Sequence, residues 1–433
     1  MALATVGLER FKEQASLPMS NSSRTPAALD GIKVLDLSRV LAGPWCTQIL
    51  ADLGADVVKI ERPGVGDDTR HWGPPFLKDA EGRDTDQASY FSCCNRNKRS
   101  VTVDMASPEG QALLTQMAQE ADILVENFKT GGLKQYGLDY ESLRQLNPRL
   151  IYCSVTGFGH DGPHAQRAGY DLMIKATTGM MSITGRPDEE PGGGPLRVGV
   201  ALTDLFTGVY ASSAILAALN VRHSTGEGQH IDMALLDVGM AILANQASGF
   251  LNTGKVPQRQ GNSHPSLAPY QDFRTSDGAM LLAIGNNGQF ERFCEAAGHT
   301  EWSQDPRFAT NPLRVRHRDL LIPMMEEVTR TRTTAQWITL LEDKAVPCGP
   351  INHIGQAFED EQVKARGLAV TLPRDAGDGI EAITGVASPL RLQGTPPVLR
   401  RAPPALGQHT DEVLAEMGLS PEKIEALRAA GVV

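Results

Sequence analysis

The chain is poor in cysteine, in aromatic residues and in long apolar runs. Its six cysteines among 433 residues include no Cys-x-x-Cys pair, which excludes a disulfide framework and indicates reduced thiols inside a cell. The longest apolar segment, residues 198–219, is interrupted by Asp204, and a membrane helix needs ~20 apolar residues in a row. The net charge is −10 and no strong basic run occurs, so neither a membrane nor nucleic acid is an expected partner.

The familiar nucleotide, hydrolase and metalloprotease motifs are missing as well. There is no Walker loop, GxSxG elbow or HExxH helix, and the ten histidines lack metal-ligand spacing, so no metal site is expected. One GxGxxG match, residues 377–382, lies between two β-type runs and therefore indicates a hairpin turn. The cytoplasm is the expected location. Mitochondrial targeting is the alternative, and Glu9 and Glu13 count against it.

The chain does contain a regular alternation of strands and helices. Predicted strands cover residues 32–37, 55–61, 101–104, 122–127 and 150–156, and predicted helices cover 45–53, 107–121 and 140–146. This order is typical of βαβ units, so we predict an open parallel α/β sheet covered by helices.

Composition and periodicity divide the chain into four parts. We predict a flexible arm over residues 1–29, a large α/β domain over 30–225, and a linker helix (231–254) with a smaller α+β domain over 226–340. The small domain is expected to hold a hairpin at 272–284 and helices at 289–297, 318–329 and 334–342. The remainder, residues 341–433, is expected to end in a helix at 420–430.

Polar loops follow the predicted strands, where open α/β sheets bind their ligands. Five cations fall within 38 residues of these loops: Arg62, Arg70, Arg96, Lys98 and Arg99. They would give either a positive field for a polyanionic small molecule or an ordinary solvated face, and the sequence leaves both open.

Asp171 follows Gly169 and Tyr170 at the start of a mostly apolar helical run. A carboxylate at this position either caps the helix or, in a cleft, serves as a fixed nucleophile, and periodicity does not decide between them. Residues 285–289 similarly indicate either a tight turn or a mobile lid.

Ten ordered segments together resemble the CoA-transferases of family III, the CaiB/BaiF group. They are residues 35–44, 54–64, 97–100, 125–128, 154–163, 169–171, 199–208, 285–289, 346–352 and 406–410. Residues 66–75, 285–289 and 346–352 look most like the succinate–hydroxymethylglutarate branch. The resemblance implies an interlocked homodimer with a Rossmann-like large domain built from both ends of the chain, so that residues 341–433 return to it.

The resemblance also implies roles for particular residues. Asp171 would be the nucleophile, and residues Gly285, Asn286, Asn287 and Gly288 would form an active-site loop. The implied CoA-contacting residues are Val40, Leu41, Ala42, Arg62, Lys98, Asn127 and Phe128. Arg70 and His264 are candidates for the basic partner of the acyl carboxylate, and Trp72 is a further candidate for binding the substrate. No tightly bound cofactor is implied, because coenzyme A and its thioesters are substrates.

Two departures from the family pattern matter. Oxalate-specific members carry Gln at the position of Leu41 and glycine at the positions of Asn286 and Asn287, so oxalate is not expected as the acceptor. A family arginine that contacts CoA is replaced by Gln135, so that contact is not expected.

The implied activity is transfer of CoA from an acyl-CoA such as succinyl-CoA to a dicarboxylate such as glutarate or hydroxymethylglutarate, through an aspartyl-CoA thioester. One alternative is an α-methylacyl-CoA racemase. That branch has His where this chain has Tyr170, whose phenol (ordinary pKa about 10) is a poor base at neutral pH, although Asp204 matches the racemase acid. A non-catalytic acyl-CoA-binding protein is the other alternative.

Overall fold

The computed structural model describes residues 26–433, so most of the predicted arm lies outside the described residues. The large domain contains six parallel strands: β1 (Lys33–Asp36), β2 (Asp56–Glu61), β5 (Lys98–Thr102), β6 (Ile123–Glu126), β7 (Ile151–Thr156) and β8 (His230–Ala234). Their order across the sheet is β5-β2-β1-β6-β7-β8, and every neighbouring pair is parallel. A short antiparallel hairpin, β3 (Phe76–Lys78) and β4 (Asp84–Ala88), lies between β2 and β5. The predicted parallel α/β sheet is confirmed.

Helices cover both faces of this sheet. They are α1 (Ala42–Asp52), α2 (Ser89–Ser92), α3 (Pro108–Glu120), α4 (Tyr140–Leu146), α5 (Asp171–Thr177), α6 (Met180–Ile183), α7 (Leu202–Thr225), α8 (Leu235–Ala241) and α9 (Ala244–Thr253), with 3-10 turns at Asp68–His71 and Lys134–Tyr136. One apolar cluster packs α3 and α4 against the sheet through Leu114 and Leu143. The other packs α1, α5 and α7 through Leu50, Ile174 and Ile215. The five strands other than the edge strand β8 are largely buried on both faces and therefore form a core layer.

A smaller unit surrounds a three-stranded antiparallel sheet. Its elements are β9 (Tyr270–Arg274), β10 (Ala279–Ala283), α10 (Asn287–Ala297), α11 (Glu301–Gln304), α12 (Asn311–Arg316), α13 (Arg318–Thr329), α14 (Thr334–Glu342) and β11 (Cys348–Pro350). The predicted hairpin and the three predicted helices are confirmed. Because β11 pairs with β10, this sheet extends past the boundary expected at residue 340.

The predicted linker helix over residues 231–254 is wrong at its start. Residues His230–Ala234 form β8, the edge strand that pairs with β7, and helices α8 and α9 follow. Ile231 and Met233 pack against the core, and an apolar run this short cannot be distinguished from a buried helical segment by periodicity.

The C-terminal segment packs back against the large sheet. It contains α15 (Ile354–Glu359), α16 (Glu361–Ala365), β12 (Ala369–Pro373), β13 (Ala382–Val386), α17 (Thr410–Glu416) and α18 (Pro421–Ala429). Leu414 and Val432 enter the core beside α3, and the backbone N–H of Asp104 donates to the Val432 carbonyl at 2.7 Å. The GxGxxG match joins the antiparallel pair β12 and β13, so its interpretation as a hairpin turn is confirmed.

Helix α7 is the one helix among residues 26–433 that is long and apolar enough to cross a membrane, judged by length and composition alone. Ala211, Ile215 and Ala218 on one face are buried in the core beneath the sheet. Phe206 and Tyr210 on another face are 43% and 45% exposed. The buried face makes α7 a core helix of a globular fold.

Candidate active site

A cavity of about 740 Å³ opens at the carboxyl edge of the parallel sheet. Its walls come from the segments that follow β1, β2, β5, β6 and β7, where ligands of open α/β sheets bind. The volume lies within the ~300–1,000 Å³ typical of small-molecule sites. The cavity therefore lies at the edge of the sheet where the sequence predicts a ligand crevice.

The loop after β1 is held in a strained shape by a buried charge. Val40 has φ +72°, a left-handed conformation that costs a β-branched residue about 1–3 kcal/mol. Its N–H donates to the Asp67 carboxylate at 3.2 Å, and Asp67 pairs with the fully buried Lys59 at 3.0 Å. Burial lowers the pKa of Lys59, but the Asp67, Asp36 and Glu61 carboxylates raise it more, to above its ordinary range. The ammonium thus stays charged and fixes the Val40 wall of the cavity.

A reciprocal pair of hydrogen bonds joins the loops after β1 and β6. The Asn127 side chain accepts from the Arg39 N–H at 2.9 Å and donates to the Arg39 carbonyl at 2.7 Å. The Arg39 guanidinium lies 5.4 Å from the Phe128 ring centroid. These contacts place an exposed cation and an aromatic ring at one wall of the cavity.

Two glycines allow the turn before Asp171 to cross the end of β7. A Cβ on Gly169 would lie 2.4 Å from the Gly157 Cα, and one on Gly157 would lie 2.6 Å from the Gly169 Cα. Only glycine permits this approach. The crossing places Tyr170, which is 65% exposed, on the cavity wall.

Asp171 is the first residue of α5, but its side chain does not cap that helix. One carboxylate oxygen, Oδ1, accepts the N–H of Thr203 at the start of α7 at 3.0 Å. The other, Oδ2, pairs with Lys175 Nζ at 2.6 Å, and the Asp171 side chain is 15% exposed. The sequence left a cap and a nucleophile as alternatives. The contacts show an oriented, partly accessible carboxylate that is paired with an ammonium.

A second carboxylate, Asp204, lines the cavity one residue after Thr203. Burial, reinforced by repulsion from Asp171, raises its pKa to about 7, although Lys175 opposes the shift. Burial also raises the pKa of Tyr90, and the nearby Asp204 and Asp171 add to that shift. The region around Asp171 thus holds two carboxylates, a phenol and one ammonium.

Comparison with known proteins gives one family. The sequence profile described as CoA-transferase family III matches residues 29–410. The chain belongs to CoA-transferase family III.

Relatives and solved structures of the family cover nearly the whole chain. A succinate–glutarate CoA-transferase of Agrobacterium fabrum is 49% identical over 399 residues, which is 92% of this chain and 98% of the relative. The human succinyl-CoA:glutarate CoA-transferase is 41% identical over 406 residues, 94% of this chain and 90% of the relative. The crystal structure of a CaiB/BaiF family protein from Brucella suis has a TM-score of 0.80 and 48% identity, and covers 90% of this chain and 100% of that one. This protein is therefore a CoA-transferase, and the resemblance found in the motifs is confirmed.

Most of the CoA-contacting positions implied by family III line the cavity. They are Val40, Leu41, Ala42, Arg62, Asn127 and Phe128. Lys98 does not, because its side chain is fully buried. Its three N–H donors go to Asp36 (3.0 Å), the Pro44 carbonyl (2.9 Å) and Asn95 (2.8 Å). The expectation that Lys98 contacts CoA is corrected: it supports the loop from within.

The five clustered cations give neither of the two arrangements that the sequence left open. Only Arg62 lines the cavity. The other four are buried in ion pairs: Arg70 with Glu61, Arg96 with Asp52, Lys98 with Asp36, and Arg99 with Asp56, Glu412 and Glu416. The partners are far apart in the sequence, by up to 317 residues for Arg99 and Glu416. Local sequence patterns therefore do not indicate these pairs.

The residues expected to bind the substrate are dispersed. Arg70 is 5% exposed, and Glu61 and the Pro404 carbonyl occupy its guanidinium, so it has no free edge for a substrate and that expectation is corrected. Trp72 is 45% exposed and packs edge-on against Tyr90, with ring centroids 5.4 Å apart. His264 lies in the small domain against Tyr270. Neither Trp72 nor His264 lines the cavity.

The predicted active-site loop, Gly285, Asn286, Asn287 and Gly288, begins α10. Asn286 caps this helix by accepting the Gln289 N–H at 2.9 Å, and the Gln289 side chain accepts the Gly285 N–H at 2.7 Å. The Asn287 side chain accepts from Arg314 at 3.0 Å. None of the four lines the cavity in this chain, and their role as a lid stays a prediction.

The sequence prediction did not include three cations of the cavity wall or the partner of Asp171. Arg39, Lys129 and Arg167 line the cavity with Arg62, and all three lie within or beside the matching segments. Lys175 stands four residues after Asp171, a spacing that places both side chains on one helix face and could have been noticed. Among residues 26–433, no group of three His, Cys, Asp or Glu side chains could hold a metal ion.

Proposed function

We propose that this enzyme transfers CoA from succinyl-CoA to a dicarboxylate such as glutarate or hydroxymethylglutarate, with Asp171 as the nucleophile. The observation that carries the proposal is the Asp171 carboxylate held between Lys175 and the Thr203 N–H. Tyr170, directly before Asp171, and Asp204, directly after Thr203, line a cavity large enough for a cofactor-sized ligand. The substrates are suggested by relatives named for succinate, glutarate and succinyl-CoA.

The reaction requires no metal and no redox step. The Asp171 carboxylate attacks the thioester carbonyl, which gives a mixed anhydride and the CoA thiolate. The thiolate then attacks the Asp171 acyl carbon, so that an aspartyl-CoA thioester forms and the donor leaves as a carboxylate. An acceptor carboxylate repeats these two steps in reverse and departs as its CoA ester.

The contacts of Asp171 suit a nucleophile. A carboxylate is a useful nucleophile only when it is ionised and aimed. Lys175 supplies a charge at 2.6 Å and Thr203 fixes the other oxygen at 3.0 Å. Because the carboxylate is already held near its attacking position, little further entropy is lost on reaching the transition state, and the reaction is faster.

The cavity also suits a CoA thioester. Arg39, Arg62, Lys129 and Arg167 line it, and three phosphate groups on CoA need cations of this kind. Three acids of the wall are paired: Asp67 with Lys59, Glu61 with Arg70, and Asp68 with Arg39. Arg62, Lys129 and Arg167 then stand against the remaining wall acids, Asp104 and Asp204, so the phosphates would meet a small positive excess on a chain that is negative as a whole.

We further propose that the enzyme is an interlocked homodimer in the cytoplasm. Support for the dimer comes from exposed apolar side chains on α7 and α9: Phe206, Val209, Tyr210, Phe250 and Leu251. Large apolar side chains exposed in this number commonly mark a protein interface. Support for the location comes from six free cysteines. Light scattering after gel filtration should give twice the chain mass, and a monomer would contradict the dimer.

Intact-mass analysis after rapid quenching tests the catalytic proposal. Incubation with succinyl-CoA should add the mass of CoA to the protein, and hydroxylamine should remove it. Asp171→Ala should abolish both the adduct and transfer while retaining CoA binding. Asp161→Ala, an exposed aspartate nearby, is the matched control. Transfer by the Asp171→Ala variant would reject Asp171 as the nucleophile, and deuterium exchange at the substrate α-carbon would indicate a racemase instead.

A further inference from the structure

A single buried ammonium, that of Lys175, pairs with Asp171 close to a second carboxylate, Asp204. Lys175 is 2% exposed; its Nζ pairs with Asp171 at 2.6 Å and donates to the Val200 carbonyl at 2.7 Å. The same positive charge acts on Asp204, which stands in the first turn of α7 beside the N–H that Asp171 accepts. The Val200 carbonyl that accepts from Lys175 and the Thr203 N–H that donates to Asp171 belong to the same short segment as Asp204, so this carboxylate stands beside the pair.

One ammonium cannot neutralise both acids at once. When two carboxylates share a site, repulsion disfavours ionisation of the second. Burial and the Asp171 charge together raise the pKa of Asp204 to about 7. With Asp171 ionised and bound to Lys175, a substantial share of Asp204 is therefore neutral near pH 7.

The proposed reaction removes this repulsion. Asp171 begins as a carboxylate and becomes a neutral CoA thioester, while its charge leaves with the donor acid. Lys175 would then be a buried cation without a counter-ion, which is costly in a protein interior. Asp204 is the carboxyl group whose ionisation would remove that cost.

We propose, on the basis of the function proposed above, that Lys175 is a positioning residue that serves two carboxylates in turn: it holds Asp171 ionised for attack and pairs with Asp204 while Asp171 carries CoA. The Asp171 carboxylate and the donor acyl-CoA give aspartyl-CoA and the donor carboxylate, and neutral Asp204 loses one proton to water. The second half-reaction takes that proton back.

The surroundings of the pair contain few other groups that could perform this exchange. Tyr90 lies within the field of both carboxylates, and their proximity raises the pKa of its phenol further above the range of the assays. The field of Cys93 reaches Tyr90 as well. Neither group supplies a positive charge, so the exchange rests on Lys175.

Replacing Lys175 tests the first half of the inference. Lys175→Gln should lower kcat/KM at pH 7 by about 10²-fold, since a loosely held nucleophile loses its near-attack geometry. The acidic limb of its pH–rate profile should also move to higher pH, because a carboxylate without its ammonium is harder to ionise. Lys175→Arg should restore the position of that limb and at least part of the rate. Lys423→Gln, an exposed lysine on α18, is the matched control.

Replacing Asp204 tests the second half and does not depend on folding of the Lys175 variants. Mixing wild-type enzyme with succinyl-CoA in weakly buffered dye at pH 7 should release about 0.5 proton per adduct formed, as expected for a group titrating near that pH. Asp204→Asn should release none. Its adduct should also accumulate less, because acylation would leave Lys175 unpaired.

The outcomes separate this inference from the proposed function. If the wild type forms no adduct, the aspartyl mechanism is wrong and the inference is wrong with it. If the adduct forms but Lys175→Gln keeps the wild-type pH profile, or Asp204→Asn releases the same protons as the wild type, only the exchange between carboxylates is rejected. A loss of melting temperature with an unchanged pH profile would likewise show a purely structural lysine.

Discussion

The crossing of Gly157 and Gly169 makes the position of Asp171 sensitive to a single methyl group. In Gly169→Ala the new Cβ would lie 2.4 Å from the Gly157 Cα, whereas ordinary contacts begin near 3.4 Å. The backbones must therefore separate by 3.4 − 2.4, or about 1 Å. Gly169 lies only two residues before Asp171, so much of this movement should reach the carboxylate.

A displacement of this size has a calculable effect. Misplacing a reacting group by about 1 Å costs about 10²-fold in rate, and an overpacked interior loses about 1–3 kcal/mol of stability. Gly157→Ala attacks the same contact from the opposite side. Its Cβ would lie 2.6 Å from the Gly169 Cα, so the two backbones must separate by 3.4 − 2.6, or about 0.8 Å. Both variants should therefore lose activity, and Gly169→Ala should lose more.

Quenched-flow kinetics of adduct formation test whether the crossing positions Asp171. A melting curve and a CoA binding isotherm are measured for the same variants. We expect the acylation rate to fall while CoA binding changes little. Gly385→Ala is the control, because nothing lies within 4 Å of its Cβ. A folded Gly169→Ala enzyme that acylates within twofold of the wild-type rate would show that the crossing does not position Asp171.

Three further results are expected. Arg70→Met should destabilise the protein by about 3–5 kcal/mol, because it leaves Glu61 buried without its partner; denaturant unfolding should show partial recovery when Glu61→Gln is added, and no recovery would refute the pairing. Burial raises the pKa of Glu126 to about 7, although hydrogen bonds from Ser154 and the Phe128 N–H oppose this shift. The neutral form of Glu126 therefore stabilises the fold at low pH, and this contribution is lost as the pH rises from about 4.5 to 7. The melting temperature of Glu126→Gln, relative to that of the wild type, should therefore rise between pH 5 and pH 8. A difference in melting temperature that does not change with pH would contradict the pKa shift. A thiol reagent should count six free cysteines in denaturant, and reductant should leave the melting temperature unchanged; a lower count would indicate a disulfide.

Much of the fold was predictable because the relevant signals are local. Helices α13 and α14 have the predicted bounds. Apolar spacing marks both helices, and a capping box at Thr333 marks the start of α14. Strand β8 was missed because an edge strand with three half-buried residues shows neither clear alternation nor a long apolar run. The pairing of β11 with β10 joins segments more than 60 residues apart, and no local pattern specifies such a partner.

The site was predictable to a smaller extent, for a related physical reason. Loops after parallel strands meet at one edge of the sheet, so Val40, Arg62 and Asn127 could be expected together. Whether a charged side chain faces a ligand or a buried partner depends on long-range packing. Arg70 and Lys98 belong to the interior because Glu61 and Asp36 on neighbouring strands neutralise them, and the sequence order contains no sign of those pairs.

The buried charges nevertheless act on the site, through the backbone. Lys59 holds Asp67, and Asp67 holds the N–H of Val40 in a left-handed conformation at the cavity wall. Lys98 reaches the Pro44 carbonyl at 2.9 Å, within the first turn of the helix that follows the same loop. A substitution of either lysine would therefore weaken CoA binding without removing a contact to CoA. Such a residue changes affinity by altering the shape of the loop, so its effect should respond little to salt, whereas the effect of a phosphate-contacting cation should weaken as salt screens it. Salt dependence thus distinguishes a residue that binds the coenzyme from one that positions the residues that do.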